Sequence, residues 1–265
     1  MPDVLTAIIS VTALGLVCAV LLTLASKLMA VQVDERLALI RECLPGANCG
    51  ACGFTGCDGY ASALLSSNAE ANLCTPGGNA VSKQLSSILG AENTGNVIAR
   101  TAIVHCMGDS NTTHDKMVYT GIRTCAAAVQ LYGGKGACTF GCIGYGDCAV
   151  VCPEGAICIE KELAHVDKRK CTGCGICAKA CPGGVISTEA EPVSVAVLCR
   201  NTEKGAQLKD KCSKGCIGCM RCAKECPNGA ITVNESLAAI DNNICIGCKK
   251  CIEVCVKGCI VKLSI

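Results

Sequence analysis

Twenty-eight of the 265 residues are cysteine, and their spacing repeats. Cys125, Cys138, Cys142, Cys148, Cys152, Cys171, Cys174, Cys177 and Cys181 each have a partner 74 positions later, at Cys199, Cys212, Cys216, Cys222, Cys226, Cys245, Cys248, Cys251 and Cys255. Neighbours keep the offset: Pro153 with Pro227, Gly155 with Gly229, Asp167 with Asp241 and Gly173 with Gly247. Nine coincidences at one offset mark an internal duplication, so the second half of the chain consists of two related units. With no Trp, two Phe and four Tyr, such units bury little aromatic area, and something other than a hydrocarbon core must hold them together.

Dense cysteine serves either a disulfide framework in an oxidising compartment or metal binding in a reducing one. The N-terminus helps to choose. Residues Val4 to Ser26 carry no charge and are mostly Val, Leu, Ile and Ala, enough for a helix of about 34 Å that crosses a bilayer. A cleaved signal peptide is the competing reading, but the apolar stretch is long for one and no basic segment precedes it. Lys27 and Arg36 follow the span while Asp3 precedes it, so the positive-inside rule predicts a single-pass protein of the cell inner (cytoplasmic) membrane with its large domain in the cytoplasm. Thiols stay reduced there, which favours metal.

Other function classes drop out on charge and motif. Lys and Arg number 24 against 22 Asp and Glu, a net +2 that offers no electrostatic footprint for nucleic acid. Neither G-x-G-x-x-G nor G-x-x-x-x-G-K-[ST] occurs, and Gly133-Gly134-Lys135-Gly136 is too short for a phosphate loop, so no nucleotide is expected. Nothing resembles a nucleophile with its base, so no catalytic residue is expected and substrate chemistry belongs to another polypeptide.

In the later unit Cys216, Cys219, Cys222, Cys226 and Pro227 form C-x2-C-x2-C-x3-C-P, and Cys245, Cys248, Cys251 and Cys255 repeat the spacing. That is the bacterial two-cluster ferredoxin pattern, in which three closely spaced thiolates hold one [4Fe–4S] cube and the fourth crosses to the other. One centre then takes Cys216, Cys219, Cys222 and Cys255, and the other Cys245, Cys248, Cys251 and Cys226. In the earlier unit Cys171, Cys174, Cys177 and Cys152 make a complete set. Cys142, Cys148 and Cys181 lack a fourth ligand, because Tyr145 stands where the offset predicts a partner for Cys219. Cys138 is the nearest substitute. A three-iron or labile centre, or Cys106 brought in from a preceding hairpin, are the alternatives.

A further set, Cys49, Cys52, Cys57 and Cys74, begins in the glycine-rich run Leu44 to Tyr60, where glycines let a backbone wrap a compact inorganic centre and aim N–H groups at its sulfurs. These sets make five centres. Cys106, Cys125, Cys199 and Cys212 remain, and Cys125 and Cys199 flank the duplicated units, so a sixth [4Fe–4S] centre is expected where the units meet. Cys106 or Cys138 serves it, and the other completes the neighbouring centre; the competing reading keeps these as packed thiols inherited by duplication. Structural zinc is the bland alternative throughout, but unbroken four-thiolate runs in tandem fit it poorly. Cys18, Cys43, Cys158 and Cys259 read as small apolar residues, and the scattered His105, His114 and His165 as surface or packing residues.

The expected architecture is α+β: an N-terminal transmembrane helix, a small Fe–S domain and two tandem two-cluster ferredoxin-like units. Residues 1–26 form the anchor, 27–78 a juxtamembrane helix and the N-terminal [4Fe–4S] domain, 79–124 a linker and a β-hairpin, 125–198 the first ferredoxin-like unit and 199–265 the second. The hairpin is expected to join Val97–Val104 to Met117–Thr120. Each unit should contain two small βαβ-like halves, with clusters in place of a core.

The anchor, the stretch Leu44-Pro45-Gly46-Ala47-Asn48-Cys49-Gly50-Ala51-Cys52-Gly53 with Cys57 and Cys74, the segment Gly141-Cys142-Ile143-Gly144-Tyr145-Gly146-Asp147-Cys148 and the ferredoxin motifs together closely resemble the B subunits of Rnf complexes, in order and over essentially the whole chain. The resemblance implies a component of a membrane-bound ferredoxin:NAD oxidoreductase that couples redox chemistry to Na+ or H+ translocation. It implies that electrons come from reduced soluble ferredoxin and pass toward the membrane subunits, while a flavin-bearing partner reduces NAD. A free polyferredoxin serving another dehydrogenase or hydrogenase, and a zinc-binding scaffold, are the alternatives.

Overall fold

A computed structural model describes residues 2–28, 34–90 and 95–263. The first of two compact units, Met1–Leu39, is dominated by α1 (Pro2–Leu28), a continuous helix opened by a proline that has no N–H to waste at that position. Within it Ile8–Lys27 has a mean hydropathy of 2.5 and is fully exposed. Thr12 and Thr23 donate their hydroxyls back to the carbonyls of Ile8 and Val20, so these polar groups are satisfied inside the helix, as hydrocarbon surroundings demand. By length and composition this helix can cross a membrane. Of the juxtamembrane helix expected over Lys27–Cys43, residues 29–33 lie outside the described residues. Its remainder is α2 (Glu35–Cys43), opened by Asp34, whose carboxylate accepts the Arg36 N–H at 2.9 Å.

The second unit, Ile40–Ile265, begins with a small domain around Tyr60. Tyr60 lies on α3 (Cys57–Leu65), buried with Ala61 and Leu64, and its hydroxyl donates to the Glu70 carbonyl at 2.6 Å. The Phe54 ring packs 5.5 Å away. The stretch expected as a linker is instead largely helical: α4 (Gly78–Leu89) ends on Gly90 in the left-handed conformation. Its Ser, Asn and Gly content hides an amphipathic face on which Ser82 and Leu85 are buried and Val81, Ile88 and Leu89 half-buried. Residues 91–94 of that linker lie outside the described residues.

Two similar halves follow. The first runs β1 (Arg100–Val104), α5 (Cys125–Val129), α6 (Asp147–Val150), β2 (Ile157–Glu160), β3 (Leu163–Val166), α7 (Ile176–Ala180) and β4 (Ile186–Ala190). The second runs β5 (Val195–Val197), α8 (Gly205–Leu208), α9 (Arg221–Lys224), β6 (Ile231–Asn234), β7 (Leu237–Ile240), α10 (Lys250–Glu253) and β8 (Ile260–Lys262). Among the described residues all the sheets are antiparallel pairs. The β2–β3 register, Ile157 opposite Val166, recurs 74 residues on in β6–β7 as Ile231 opposite Ile240.

The outer pairs correct the expected hairpin. β1 pairs with β4, Val104 opposite Ile186, and not with Met117–Thr120. Four of its five residues are buried, so the strand needs cover on both faces. Ala102 and Val104 join the core of the first half, while Ile103 packs against Val193 and Ala196 of the second. Val118, in the segment expected to pair with it, is 92 % exposed. Strands thus precede both expected starts: β1 begins at Arg100, ahead of 125, and β5 at Val195, ahead of 199. Both cores mix thiols with aliphatic side chains: Cys148 and Cys177 lie among Val104, Ile157, Leu163 and Ile186, and Cys216, Cys222, Cys251 and Cys259 among Val195, Val197, Ile231 and Ile260.

Candidate metal centres

The outer strand pairs decide which cysteines are equivalent. Val104 faces Ile186 in the first half and Val197 faces Ile260 in the second, and Ile186 and Ile260 are 74 residues apart. Cys106, two residues past Val104, is thus the counterpart of Cys199, two past Val197. Hydrogen bonds agree. The Cys106 sulfur accepts N–H groups from Gly108 at 3.3 Å and Cys142 at 3.4 Å, and the Cys199 sulfur accepts them from Asn201 at 3.5 Å and Cys216 at 3.3 Å.

Between the halves Cys106, Cys138, Cys199 and Cys212 line one cavity, which Cys142 also borders. Asn201, itself buried, donates its side-chain N–H to the Cys138 sulfur at 3.4 Å. This quartet differs from the expected one, since Cys138 takes the place of Cys125. Cys125 instead lines a second cavity with Cys142, Cys148 and Cys181, supplying the fourth thiol that Tyr145 does not. It opens α5, whose N-cap Thr124 accepts the Ala127 N–H at 3.1 Å. The Asp147 carboxylate accepts the Cys125 and Ala126 N–H groups at 2.8 and 2.9 Å, tying the incoming cysteine to the motif that holds Cys142 and Cys148.

A third cavity is lined by Cys216, Cys219, Cys222 and Cys255, as the spacing predicts, with a fifth thiol beside them. Cys259, read from sequence as a small apolar residue, is buried with its sulfur 3.7 Å from that of Cys255. A hydrogen bond from Cys259 holds the Cys216 thiol below its ordinary range. Val185 occupies the corresponding place in the first half, so spacing alone gives no warning of this thiol.

The remaining quartets appear in the electrostatics. Burial pushes Cys177 up to about 11, reinforced by Cys174, Cys171 and Cys152, and it raises Cys251, reinforced by Cys245, Cys248 and Cys226. In the N-terminal domain burial raises Cys74, with Cys52, Cys49 and Cys57 adding to it. Burial likewise pushes Cys106 and Cys148 up to about 12 and Cys222 to about 11. Buried thiols crowded this way resist ionising unless positive charge arrives with the ligand, which is what iron supplies.

The donor sets fit [4Fe–4S] cubes. At least four cysteines line each of three cavities, and thiolates are the donors such a cube takes. Backbone N–H groups also point at sulfurs elsewhere: Ala102 at Cys171 at 3.5 Å, Ala156 at Cys152 at 3.3 Å and Val185 at Cys181 at 3.3 Å. Gly173, between Cys171 and Cys174, has φ +67°, and a Cβ there would collide with the Arg100 carbonyl, so the loop tolerates no side chain.

Adjacent sets lie near one another. Lys179 of the first half donates to the Cys49 carbonyl at 2.6 Å, and after burial the nearby Cys49 thiol helps to raise Cys174. Cys177 is among the thiols that raise Cys148. The Cys142 and Cys216 N–H bonds to Cys106 and Cys199 join the junction quartet to its neighbours on either side. Cys222 and Cys251 share one core in the second half. Followed along these links, the sets succeed one another as Cys49 set, Cys152 set, Cys125 set, junction set, Cys216 set and Cys226 set. Of the remaining cysteines, Cys18 is exposed on α1, Cys158 is exposed on β2 and Cys43 is half-buried at the end of α2. His105 bridges the halves, one ring nitrogen 2.9 Å from the Val197 carbonyl and the other 2.7 Å from the Ser187 hydroxyl.

Three family models match the chain: "Putative Fe-S cluster" over residues 44–76, "4Fe-4S binding domain" over 164–187 and "4Fe-4S dicluster domain" over 215–259. Three relatives, all B subunits of membrane oxidoreductase complexes, align with most of it. That of the Na(+)-translocating ferredoxin:NAD(+) oxidoreductase complex of Acetobacterium woodii is 37 % identical over 228 residues, 86 % of this chain and 68 % of its own length. The counterpart in the proton-translocating ferredoxin:NAD(+) oxidoreductase complex of Clostridium ljungdahlii is 39 % identical over 92 % of this chain and 86 % of its own. The one in the ion-translocating oxidoreductase complex of Methanosarcina acetivorans is 39 % identical over 86 % of each. Aligned with all three over most of its length, the chain belongs to the family of B subunits of the ion-translocating ferredoxin:NAD oxidoreductase, or Rnf, complexes.

Proposed function

We propose that this protein takes electrons from reduced soluble ferredoxin and relays them through six [4Fe–4S] centres toward the membrane part of an ion-pumping complex whose other subunits reduce NAD. The observation that supports the reading is that the Cys142 and Cys216 N–H groups donate to the Cys106 and Cys199 sulfurs, which ties the junction set to a neighbouring set on either side. Bound clusters of this kind accept and release one electron at a time. The chain's own residues fix their spacing and point N–H groups at the sulfurs, which stabilises added negative charge. Each half is a two-cluster ferredoxin-like unit, and the junction quartet joins the two into one path.

The anchor reading rests on α1 and on Lys27 and Arg36, which favour a single pass with the body in the cytoplasm. The Cys49 domain follows the span in sequence at a short interval, so the path runs from the C-terminal half toward the bilayer. A zinc scaffold is disfavoured by the pattern of donors, because unbroken four-thiolate runs in tandem fit a single-ion site poorly.

Cys49→Ser in the intact complex tests the direction. Reduced ferredoxin should still bleach the visible absorption of the distal centres, while NAD reduction by the membranes is lost. Undiminished NAD reduction in that variant contradicts the proposed order, and isolation of zinc without iron contradicts the relay altogether.

A further inference from the structure

The outermost quartets of the two halves have different surroundings. In the first half Cys174 is 9 % exposed, and the Cys49–Gly50 turn of the N-terminal domain lies against this end, held by Lys179. Its counterpart 74 residues on, Cys248, is exposed. Exposed beside it are Ile244 and Ile246, at 46 % and 64 %, with Lys249 and Lys250. These stand where the first half has Lys170, Thr172, Gly175 and Ile176, so the second half has placed apolar residues and two cations on a surface that its duplicate uses to seat an iron–sulfur domain.

We infer that the Cys248 face docks a separate iron–sulfur protein, a small soluble electron carrier with an acidic surface, in the place that the chain's own N-terminal domain takes on the first half. The inference rests on the relay reading. Charge chooses the occupant. Residues 200–265 hold 11 Lys and Arg against 6 Asp and Glu, whereas residues 1–199 hold 13 against 16. An apolar centre rimmed by cations suits a fast, transient encounter with an acidic partner. A second copy of the N-terminal domain is a poorer occupant, because Glu253 replaces the Lys179 that holds it. One electron leaves the carrier, which is oxidised, and enters the centre held by Cys226, Cys245, Cys248 and Cys251, which is reduced; no bond breaks.

The test uses the full chain, cluster-loaded in detergent, with a soluble acidic [4Fe–4S] ferredoxin as probe. Equilibrium binding of the oxidised probe, in which no electron moves, is measured beside stopped-flow reduction by the reduced probe and by dithionite. Wild-type binding should weaken with added salt, and the Lys249→Glu/Lys250→Glu double variant should bind about 10-fold more weakly and be reduced correspondingly slowly by the probe, with dithionite reduction unchanged. Ile246→Glu, at an exposed position, should weaken binding with iron content intact, which keeps the test decisive if the double variant loses iron. Wild-type binding and reduction in these variants would overturn the docking face and leave the relay standing. A wild-type chain that dithionite reduces but the ferredoxin neither binds nor reduces would overturn both.

Discussion

In the second half the centre nearest the junction draws its expected thiols, Cys216, Cys219, Cys222 and Cys255, from the two ferredoxin-type runs alone; in the first half Tyr145 stands in place of Cys219, and Cys125 arrives from outside those runs. The difference traces to an insertion. Thirty-one residues separate Cys106 from Cys138, against 12 between Cys199 and Cys212, and Cys125 lies in the longer stretch. Tyr145 then serves as an anchor for that stretch: the Tyr119 ring packs 5.9 Å away, and Arg123 and Lys135 lie 5.7 and 5.5 Å from the Tyr145 ring centre. Lys135, 8 % exposed, is also paired with Asp115 at 3.1 Å and Glu162 at 2.5 Å. A thiol quartet is thus a spatial requirement that different stretches of chain can meet, and the residue freed from ligation is reused for packing.

The largest effect should come where the halves are alike. Cys212→Ser removes a thiol from the quartet they share and should lower iron by about four atoms per chain. In stopped flow, ferredoxin should then reduce the second half quickly and leave the first half oxidised. Unchanged iron would remove the junction centre from the account.

The next effect sharpens the contrast. Cys125→Ser should cost a similar amount of iron from the first half alone, and Tyr145→Cys added to it should restore that iron by returning the ligand to its ferredoxin position. Failure of the second substitution to restore iron would mean that Tyr145 and Cys219 are not spatial equivalents.

A smaller effect is expected at Asp147, whose offset partner is Arg221, a residue of opposite charge in the half that needs no outside cysteine. Asp147→Ala leaves every ligand in place but removes the acceptor for two N–H groups at the start of α5, at a cost of roughly 0.5–2 kcal/mol. Full iron content with faster loss to a chelator is the expected outcome. Iron loss as slow as in the wild type would show that Asp147 does not hold Cys125.

Sequence revealed the quartets whose members lie at short, fixed spacing, because that spacing is itself the geometry of a loop around a cube. It also left over thiols that the short-spaced sets do not use. It misplaced Cys125 and Cys138 because a constant 74-residue offset assumes no insertion, and by that arithmetic Cys125 fell opposite Cys199. The available signal was the apolar strand ending two residues before a cysteine, Val104 before Cys106 and Val197 before Cys199. The helix over Gly78–Leu89 was hidden by its Ser, Asn and Gly content, and the partner of β1 by the 81 residues between that strand and β4. Pairing over such a separation is decided by which faces need cover, a tertiary matter that local spacing does not encode.

Iron and acid-labile sulfide per chain, determined on the full-length protein purified without oxygen, test most directly whether six thiol quartets are occupied in one molecule. The account predicts about 24 of each, with broad visible absorption that bleaches on reduction. A reproducible value of about 20 or fewer, with the protein fully folded and its assembly active, would contradict it.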